Sequence, residues 1–546
     1  MDFSFDLTQG LFSSAGVDAG TQLLLKVFSG LLDSDAKAGT PPPRNVLDAG
    51  CGVGVIGICA AAALGGMARA AAPPPGVPTP DVSAARLTVR CQDRDELARV
   101  FTLHNAAKNR AAFGRFPVSV LEAHTEPLLA GPGDTRWDLI LSNIPAKAGT
   151  PVLEDFVRRS LGLLNPGGRV VLVAVNTLAD FFRRRIALSG GGLFLEQTGS
   201  GHTVFAYSAL GVAPAGNALA DTALVQAALV ETTPTETVPV ETDPLEITPE
   251  KTALVGTAFT GTASKKTTPL ETMPEKIAPM ETAPVGAAQE ETDPLEITPE
   301  KTVPADTSPV KPGPGFLSRY PFYVRTAATC KLEGIPVCVE TIHGASGFDE
   351  PGGAVTVAAK LAARLGPAMF ARGEGGVLVH EPGQGFFPCW LFRFLCGECG
   401  PGETPAPVLS GRNVLALEAA RHNVSRLTLR GNAAGGGTVC VVPAADLRLG
   451  RAALLETQGG KPYSGIVAFP EPLPQSSLPK GTDQLAALWN AVPPLLENNA
   501  VFLAAFGSSD AERFDRKKPP GFNRIGTVKR DGFRALAYRF AGTGRV

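Results

Sequence analysis

The stretch Asn45-Val-Leu-Asp-Ala-Gly-Cys-Gly-Val-Gly54 decides the fold of the first part of the chain. A short apolar run ends in Asp48, three glycines follow at every second position, and the next apolar run fits a helix. Glycines between a strand and a helix let the backbone approach a ligand and leave helix N–H groups free to bind it. The spacing differs from the Gly-x-Gly-x-x-Gly of dinucleotide sites. The stretch therefore predicts a ligand-binding turn at Gly50, Gly52 and Gly54.

Length and composition bound the class of protein. The chain has 546 residues, which is too many for one core, so two or three domains are expected. The N-terminus lacks the basic-then-apolar order of a signal peptide, and the longest apolar run is too short for a membrane span. Nine scattered cysteines favour reduced thiols in the cytoplasm. Cys389, Cys396 and Cys399 lack a nearby fourth ligand, so no metal site is expected.

Residues 211–314 differ in composition from the rest of the chain. They are rich in Thr, Pro and Glu, and the dodecamer at 241–252 recurs at 291–302. Frequent prolines block helices and sheet ladders, which predicts a disordered linker. The segment carries 16 acidic and 6 basic residues, a net charge of −10 within a chain of −2. The remainder is therefore mildly basic at +8, which suits an anionic partner.

Residues 1–210 alternate strand and helix patterns, which is typical of an α/β fold. Strands are predicted at 45–48, 87–92, 118–121, 138–142, 170–175 and 204–208, the last as an edge strand. Helices are predicted after Gly54 and at 96–109, 152–164 and 178–188.

Residues 315–546 repeat the same landmarks in the same order, which indicates an internal duplication. The pairs are 16–21 with 347–352, 46–54 with 377–385, 101–105 with 427–432, 140–144 with 466–470, and 200–207 with 531–538. In the second copy Asp48 becomes Val379, Asn143 becomes Phe469, and Glu381 replaces Gly50. These losses predict a catalytically inactive second domain, with weak ligand binding through Glu381 left open.

The ends of the predicted strands carry further polar residues. Asp93 ends the second strand, and Leu141-Ser-Asn-Ile-Pro-Ala146 ends the fourth. Because the carboxyl ends of parallel strands meet at one edge of a sheet, Asp48, Asp93 and Asn143 are expected to line one site.

The glycine spacing after an acid resembles the first motif of class I S-adenosylmethionine (SAM) methyltransferases. Upstream, Phe12-Ser13, Asp18-Ala-Gly20-Thr21 and Leu23-Leu24 resemble the methyltransferase small domain family, which acts on guanine N2 in ribosomal RNA. The resemblance implies two Rossmann-like domains, SAM as cofactor and RNA as partner. It also implies roles for Phe12, Asp18 and Thr21, which would cover bound SAM.

The residue types fit the parts of SAM. Asp48 would accept hydrogen bonds from the amino acid part, beside the turn of Gly50, Gly52 and Gly54. Asp93 would accept both ribose hydroxyls. Glu122 or His124 could contact adenine, although a solvated loop residue is an equal alternative.

The motif after the fourth strand would perform the transfer. An exocyclic amine on a base is a poor nucleophile, and two acceptors can hold its N–H groups as positive charge grows. Asn143 and the carbonyl of Ile144 suit this role, and Pro145 would fix the turn. The family usually has Asn-Pro-Pro-Phe, whereas Ala146 here cannot stack on a purine, a loss of about 1–3 kcal/mol.

Two alternatives remain open from the residues alone. Asn-x-Pro motifs also serve methylation of a protein glutamine amide. A different class is a non-catalytic RNA-binding or assembly factor built from two decayed methyltransferase folds. The densest basic clusters, Arg183–Arg185 and Arg513 with 516–518, would contact RNA phosphates or form a solvated face. The oligomeric state stays open, and the two domains could pair within the chain.

Overall fold

Strand order divides the described chain into two similar domains. The computed structural model describes residues 3–8, 10–11, 16–70, 87–110, 119–129, 135–210, 316–345, 347, 349–370, 375–399, 406–430, 439–471 and 484–542. The predicted linker at 211–314 lies outside these residues. Within the described part, no helix has the length and apolar character needed to cross a membrane.

The first domain is a seven-stranded sheet covered by helices on both faces. Its elements are α1 (Ala19–Ala38), β1 (Asn45–Ala49), α2 (Val55–Ala70), β2 (Leu87–Asp93), α3 (Glu96–Lys108), β3 (Ser119–Thr125), β4 (Trp137–Asn143), α4 (Thr150–Gly162), β5 (Leu164–Val175), α5 (Ala179–Leu188), β6 (Gly191–Thr198) and β7 (His202–Ala209). The strand order is β3-β2-β1-β4-β5-β7-β6, with only β7 antiparallel to its neighbours. The predicted Rossmann-like sheet is confirmed.

β1 is a run of apolar residues because both of its faces are buried. Val46 packs with the α1 and α2 side of the sheet, next to Phe28 and Ile56. Leu47 packs on the opposite side, next to Phe156 of α4. A parallel strand between two helical layers needs apolar residues at consecutive positions, so the polar Asp48 at its end is an exception that needs a separate reason.

The second domain repeats this sheet. Its elements are α6 (Phe316–Arg319), β8 (Val324–Leu332), β9 (Ile335–Ile342), α7 (Gly353–Leu365), β10 (Val377–His380), α8 (Phe386–Cys399), β11 (Val408–Gly411), α9 (Val414–Arg430), β12 (Val441–Pro443), α10 (Arg451–Glu456), β13 (Tyr463–Ala468), α11 (Gln484–Ala491), β14 (Leu496–Gly507), α12 (Ser508–Arg516), β15 (Phe522–Arg530) and β16 (Phe533–Phe540). The order β12-β11-β10-β13-β14-β16-β15 matches the first sheet strand for strand. A hairpin of β8 and β9 is added.

An asparagine clamp recurs in both domains. Asn105 pairs with the backbone of Asp6, at 2.8 and 3.0 Å, and also donates to the Val53 carbonyl in the glycine-rich turn. Asn423 pairs in the same way with Glu340, at 2.8 and 3.0 Å, and donates to the Gln384 carbonyl. The same bonds in both copies support the duplication.

The clamp also corrects one of the predicted pairs. Residues 427–432 are not the counterpart of 101–105, because the residue that acts as Asn105 does is Asn423. The predicted pairing therefore places the counterpart of Asn105 about two helical turns too far toward the C-terminus of α9. The charged partners agree with the new register, since Asp6 binds His104 and Lys108 while Glu340 binds His422 and Arg426.

Two details of the first domain differ from the prediction. The strand at 204–208 is not an edge strand, because β7 lies between β5 and β6 and pairs with both. β6 forms that edge of the sheet. Most of its residues are only partly buried, so its sequence shows a weak strand pattern. Helix α1 was also missed; Asp18 caps it, with the side chain accepting from the Thr21 N–H.

The two domains pack together within one compact unit. The Glu96 N–H donates to the Arg412 carbonyl, and the Val414 N–H donates to the Arg94 carbonyl, both at 2.8 Å. Leu317 and Tyr323, at the start of the second domain, join the core cluster of the first. The intramolecular pairing that the sequence left open is therefore present.

Candidate active site

The glycine-rich turn is open on one side. Gly50, Gly52 and Gly54 have φ angles of 80°, 56° and 86°, a left-handed region that other residues rarely adopt. A methyl group built on Gly54 would lie 2.9 Å from Thr102, so this glycine is also required by packing. A methyl group on Gly52 would meet no described atom within 4 Å. That open space lies beside the start of α2, where a ligand can approach the backbone.

Asp48 is the buried acid beside this turn. Its side chain is fully buried, and Oδ2 accepts the Gly57 N–H at 2.8 Å. Oδ1 is buried without a hydrogen-bond partner among the described residues. Burial raises the pKa of Asp48 to about 7. An unpaired buried acceptor costs about 1–3 kcal/mol, so a bound donor, above all a cationic amino group, would relieve this cost.

Asp93 lies across the same turn. Its Oδ2 accepts the Gly52 N–H and its Oδ1 accepts the Asp95 N–H, both at 3.0 Å. Burial raises its pKa, although these backbone donors oppose the shift. Each carboxylate oxygen has more than one lone pair, so Asp93 can hold the turn and still accept from a ligand.

These residues fit the predicted cofactor, SAM. Asp48 offers an unpaired acceptor to a ligand amino group, Gly52 leaves open space, and Asp93 offers acceptors to a diol. Gly50 and Gly54 supply the backbone shape that brings the turn between the two acids.

Asn143 ends β4 and faces the start of α1. Its Nδ2 donates to Asp18 Oδ1 and to Thr21 Oγ1, both at 3.0 Å. Asp18 and Thr21 were predicted to cover the cofactor, and the structure places them against the predicted catalytic amide. The site therefore joins the upstream motif to the motif after the fourth strand.

The rest of that motif forms a short turn. Ile144 is buried, and its N–H donates to the Val173 carbonyl at 3.2 Å. Pro145 precedes a 3-10 turn at Ala146–Ala148 and accepts from the Ala148 N–H at 2.9 Å. Ala146 is exposed beside the site. Phe12, the remaining predicted residue, lies outside the described residues.

The adenine contact was not resolved by sequence. Glu122 and His124 lie within β3 and contact each other, with His124 Nε2 3.2 Å from Glu122 Oε2. The end of the strand instead carries Glu126, whose carboxylate binds Arg90 at 2.7 Å. Leu128 follows, and its side chain lies 3.6 Å from a methyl group built on Gly50.

Sequence reasoning also missed two residues that support the site. Glu96 is buried and contacts the Thr125 hydroxyl at the end of β3. Gln92 donates to the Leu128 carbonyl, which ties β2 to the segment after β3. Polar residues at consecutive positions 92–96 after an apolar strand were the available signal.

The equivalent turn in the second domain is filled. Glu381, with φ 55°, stands where Gly50 does, and its Oε1 accepts the Arg412 N–H at 3.0 Å. Gly411 occupies the position equivalent to Asp93. The Glu381 carboxylate fills the space beside it, since a methyl group built on Gly411 would lie 2.9 Å from that carboxylate. Burial raises the pKa of Glu381 to about 7. The carboxylate therefore closes its own turn.

The counterparts of Asp48 and Asn143 are also apolar in the structure. Val379 and Phe469 belong to one buried cluster, and the Phe469 ring lies 5.0 Å from Phe387, centroid to centroid. The strand ends that carry Asp48 and Asn143 in the first domain therefore carry apolar core residues in the second.

The predicted RNA-binding clusters are largely paired with acids. Arg183 contacts Asp180 and Glu196, and Arg185 contacts Glu154. In the other cluster, Arg513 pairs with Asp510 at 2.8 Å. Lys147, by contrast, is exposed directly after the predicted catalytic motif and has no ion pair with a described residue.

Comparisons with known proteins found one family model and a set of solved structures. Residues 2–69 match the model of the methyltransferase small domain family. The search of curated proteins found no match. Among solved structures, the chain is similar to the 16S rRNA N2 G1207 methyltransferase (RsmC) of T. thermophilus, at 14% identity and a TM-score of 0.47 over 98% of this chain and 94% of that one.

Two shorter matches are to single methyltransferases. The ribosomal protein L11 methylase of Lactobacillus delbrueckii subsp. bulgaricus is 19% identical over 37% of this chain and 83% of that one, with a TM-score of 0.26. The magnesium protoporphyrin IX methyltransferase of Synechocystis PCC 6803 is 17% identical over 34% and 79%, with a TM-score of 0.24. Residues 2–69 thus match the methyltransferase small domain model, and both sheets have the Rossmann-like strand order that the sequence predicted.

Proposed function

We propose that this protein transfers a methyl group from SAM to an exocyclic amino group of a base in RNA, with guanine N2 of ribosomal RNA as the favoured target. The observation that carries the proposal is Asn143. Both donors of its amide are held by Asp18 and Thr21, so its oxygen is presented as an acceptor at the open edge of the sheet.

An acceptor at this position suits an amine that carries two N–H groups. Bound SAM supplies an electrophilic methyl group, and the chain must supply alignment and charge stabilisation. Asn143 Oδ1 and the carbonyl of Ile144 would accept the two N–H bonds and thus orient the nitrogen lone pair. They also stabilise the positive charge that grows on the nitrogen as it is methylated.

The upstream motif favours RNA over the alternatives. Asp18 and Thr21 belong to the small-domain signature, and the segment matched by the family model contains both. The folded parts carry a net positive charge outside 211–314, which suits a nucleic acid. A base would have to leave its stack to reach Asn143, since an exocyclic amine inside a duplex is inaccessible to a pocket.

The test is transfer by the purified full chain. The protein would be incubated with labelled SAM and unmodified ribosomal RNA, in parallel with total ribosomal protein, and the products mapped by mass spectrometry. The expected result is label in an N2-methylguanine. Label in a glutamine side chain would replace RNA with the protein substrate. SAM binding without transfer to either substrate would contradict the proposed reaction.

A further inference from the structure

The amide of Asn143 is hydrogen-bonded to two side chains at the start of α1, Asp18 and Thr21. Asp18 Oδ1 accepts from the Thr21 N–H at 3.0 Å, and Asp18 Oδ2 accepts from the Thr21 hydroxyl at 2.7 Å. Asn143 Nδ2 then donates to Asp18 Oδ1 and to Thr21 Oγ1, each at 3.0 Å. Thr21 is buried, with 6% of its surface exposed.

Chemistry fixes the direction of every bond in this network. An ionised carboxylate only accepts, so the Thr21 hydroxyl must give its single proton to Asp18. The Thr21 oxygen can then only accept from the amide. The group of Asn143 that faces this pair must therefore be its NH₂, and its oxygen must point the other way.

We infer that Asp18 and Thr21 are positioning residues that set the polarity of the Asn143 amide and so make the site select an acceptor atom bearing N–H groups. This inference rests on the proposed function. Asp18 acts through Asn143, which differs from the role in covering the cofactor that the family resemblance implied.

The second domain lacks this network. Its equivalent helix, α7, is capped by Gly352 where α1 is capped by Asp18, and Phe469 replaces Asn143. Asp349, which the sequence pairing matched to Asp18, lies three residues before that cap, where it accepts from the Thr341 hydroxyl at 2.6 Å and pairs with Arg325. The acidic cap and the amide are therefore lost together.

The decisive variant is Asp18→Asn in the full chain. Asparagine caps a helix about as well as aspartate, so α1 keeps its cap. Its NH₂ would, however, replace Oδ2 and face the Thr21 hydroxyl, which then no longer has to donate to residue 18 and can donate to Asn143 instead. One of the two bonds that fix the Asn143 amide is thereby lost, and the amide can rotate and present NH₂ to the substrate. We expect kcat to fall about 10- to 100-fold, with the Kd for SAM changed less than about threefold. The matched control is Asp33→Asn, an exposed acid on the same helix.

Thr21 provides an independent pair of variants. Thr21→Val keeps the shape and removes the hydroxyl, so kcat should fall, whereas Thr21→Ser keeps the hydroxyl and should restore most of the rate. In an Asn143→Ala background, Asp18→Asn should cause no further loss, because residues that act as a unit are not additive. Additive losses, or a weaker Kd for SAM with kcat retained, would overturn the inference.

A readout without turnover separates this inference from the proposed reaction. In the full chain labelled with ¹⁵N-asparagine, the side-chain amide protons of Asn143, assigned with Asn143→Ala, should exchange slowly. They should exchange quickly in Asp18→Asn but not in Asp33→Asn. Fast exchange in the wild type would overturn the network even if methylation is found. Slow exchange without any methylation would reject only the proposed reaction.

Discussion

The two domains share a sheet, a clamp and a glycine-rich turn, yet differ in what fills the ends of their strands. In the first domain, Asp48 and Asp93 flank an open turn. In the second, Glu381 closes the turn and Phe469 packs in the core. The comparison teaches that the fold does not need the polar site. The sheet therefore does not require the acids at the strand ends of the first domain, and burial of Asp48 there carries a cost in stability.

The largest expected effect is loss of the acceptor at Asn143. Asn143→Ala should lower kcat about 10²- to 10³-fold, the range seen when one stabilising hydrogen-bond group is removed from a transition state. The Kd for SAM should change little, since the amide faces Asp18 and Thr21. Steady-state kinetics and calorimetry check the two parts. An unchanged kcat would remove Asn143 from the reaction.

Asp48 should give the next largest effect, with a characteristic dependence on pH. Asp48→Asn should weaken SAM binding about 10- to 100-fold at pH 8, because a hydrogen bond to a charged group contributes about 1.5–3 kcal/mol. In the wild type, affinity should rise with pH through the Asp48 pKa of about 7, because only the ionised acid attracts a cationic amine. Calorimetry at several pH values should find this dependence missing in Asp48→Asn.

The same acid predicts a change in stability with a defined sign. Its folded pKa of about 7 lies above its unfolded value of 3.8, so the native state binds the proton more tightly. Its protonation favours folding below the unfolded pKa, and this contribution is lost as pH rises through about 7. Asp48→Asn should therefore raise the Tm of the ligand-free protein at pH 8. A lower Tm in the variant would contradict the burial argument.

The second domain should bind no SAM of its own. Calorimetry should give one site per full chain, and Asp48→Asn should weaken that site without revealing another. Glu381→Gln serves as the matched variant, because it keeps the shape of the carboxylate that fills the second turn. It should leave the Kd for SAM unchanged. Two sites of comparable affinity would mean that Glu381 does not close its turn.

A smaller effect is expected where the domains meet. Arg412 donates to the Gly10 carbonyl at 2.9 Å and lies 3.3 Å from Asp95, two residues after Asp93. The pair is partly exposed, so Arg412→Ala should cost only about 0.5–1 kcal/mol. It should lower the Tm slightly and weaken SAM binding a few-fold at most. Arg421→Ala, which breaks an ion pair with Glu418 on the same helix, is the control and should not affect SAM.

The smallest effect concerns RNA. Lys147→Ala should weaken binding of ribosomal RNA and reduce the slope of log K against log salt by about 1, as loss of one phosphate contact does. Arg183→Ala is the matched variant, because Arg183 is already paired with two acids. Filter binding at several salt concentrations distinguishes them. Equal slopes for both variants would exclude Lys147 as a phosphate contact.

Much of the first sheet was predictable because its strands end in informative residues. The turn at 50–54, Asp93 and Asn143 all lie at one edge, as parallel strands require. Helix α1 was not predicted, since the residues that begin it, Asp18 and Thr21, were interpreted only through the family resemblance. Their contact with Asn143 spans more than a hundred residues, and no local pattern encodes it.

The second domain was harder to align than to detect. A short match of Thr and Leu at 427–429 outweighed Asn423, whose partners are backbone groups of another element. A hydrogen bond from a side chain to a backbone group requires no particular residue type at the partner position, so no matching signal for it appears in the sequence. Glu381 was suspected as a remnant of binding, whereas its positive φ and its bond to the Arg412 N–H became visible only in three dimensions.

The reciprocal bonds between the domains have a consequence for how the chain arose. Arg94 and Glu96 in the first domain occupy the places of Arg412 and Val414 in the second, and each pair bonds to the other. Residue i contacts j while j contacts i, which is the mark of an isologous two-fold interface. A single-domain ancestor with this edge could form a homodimer. Fusion of its two subunits would free one of them to lose its chemistry while the contact surface persisted.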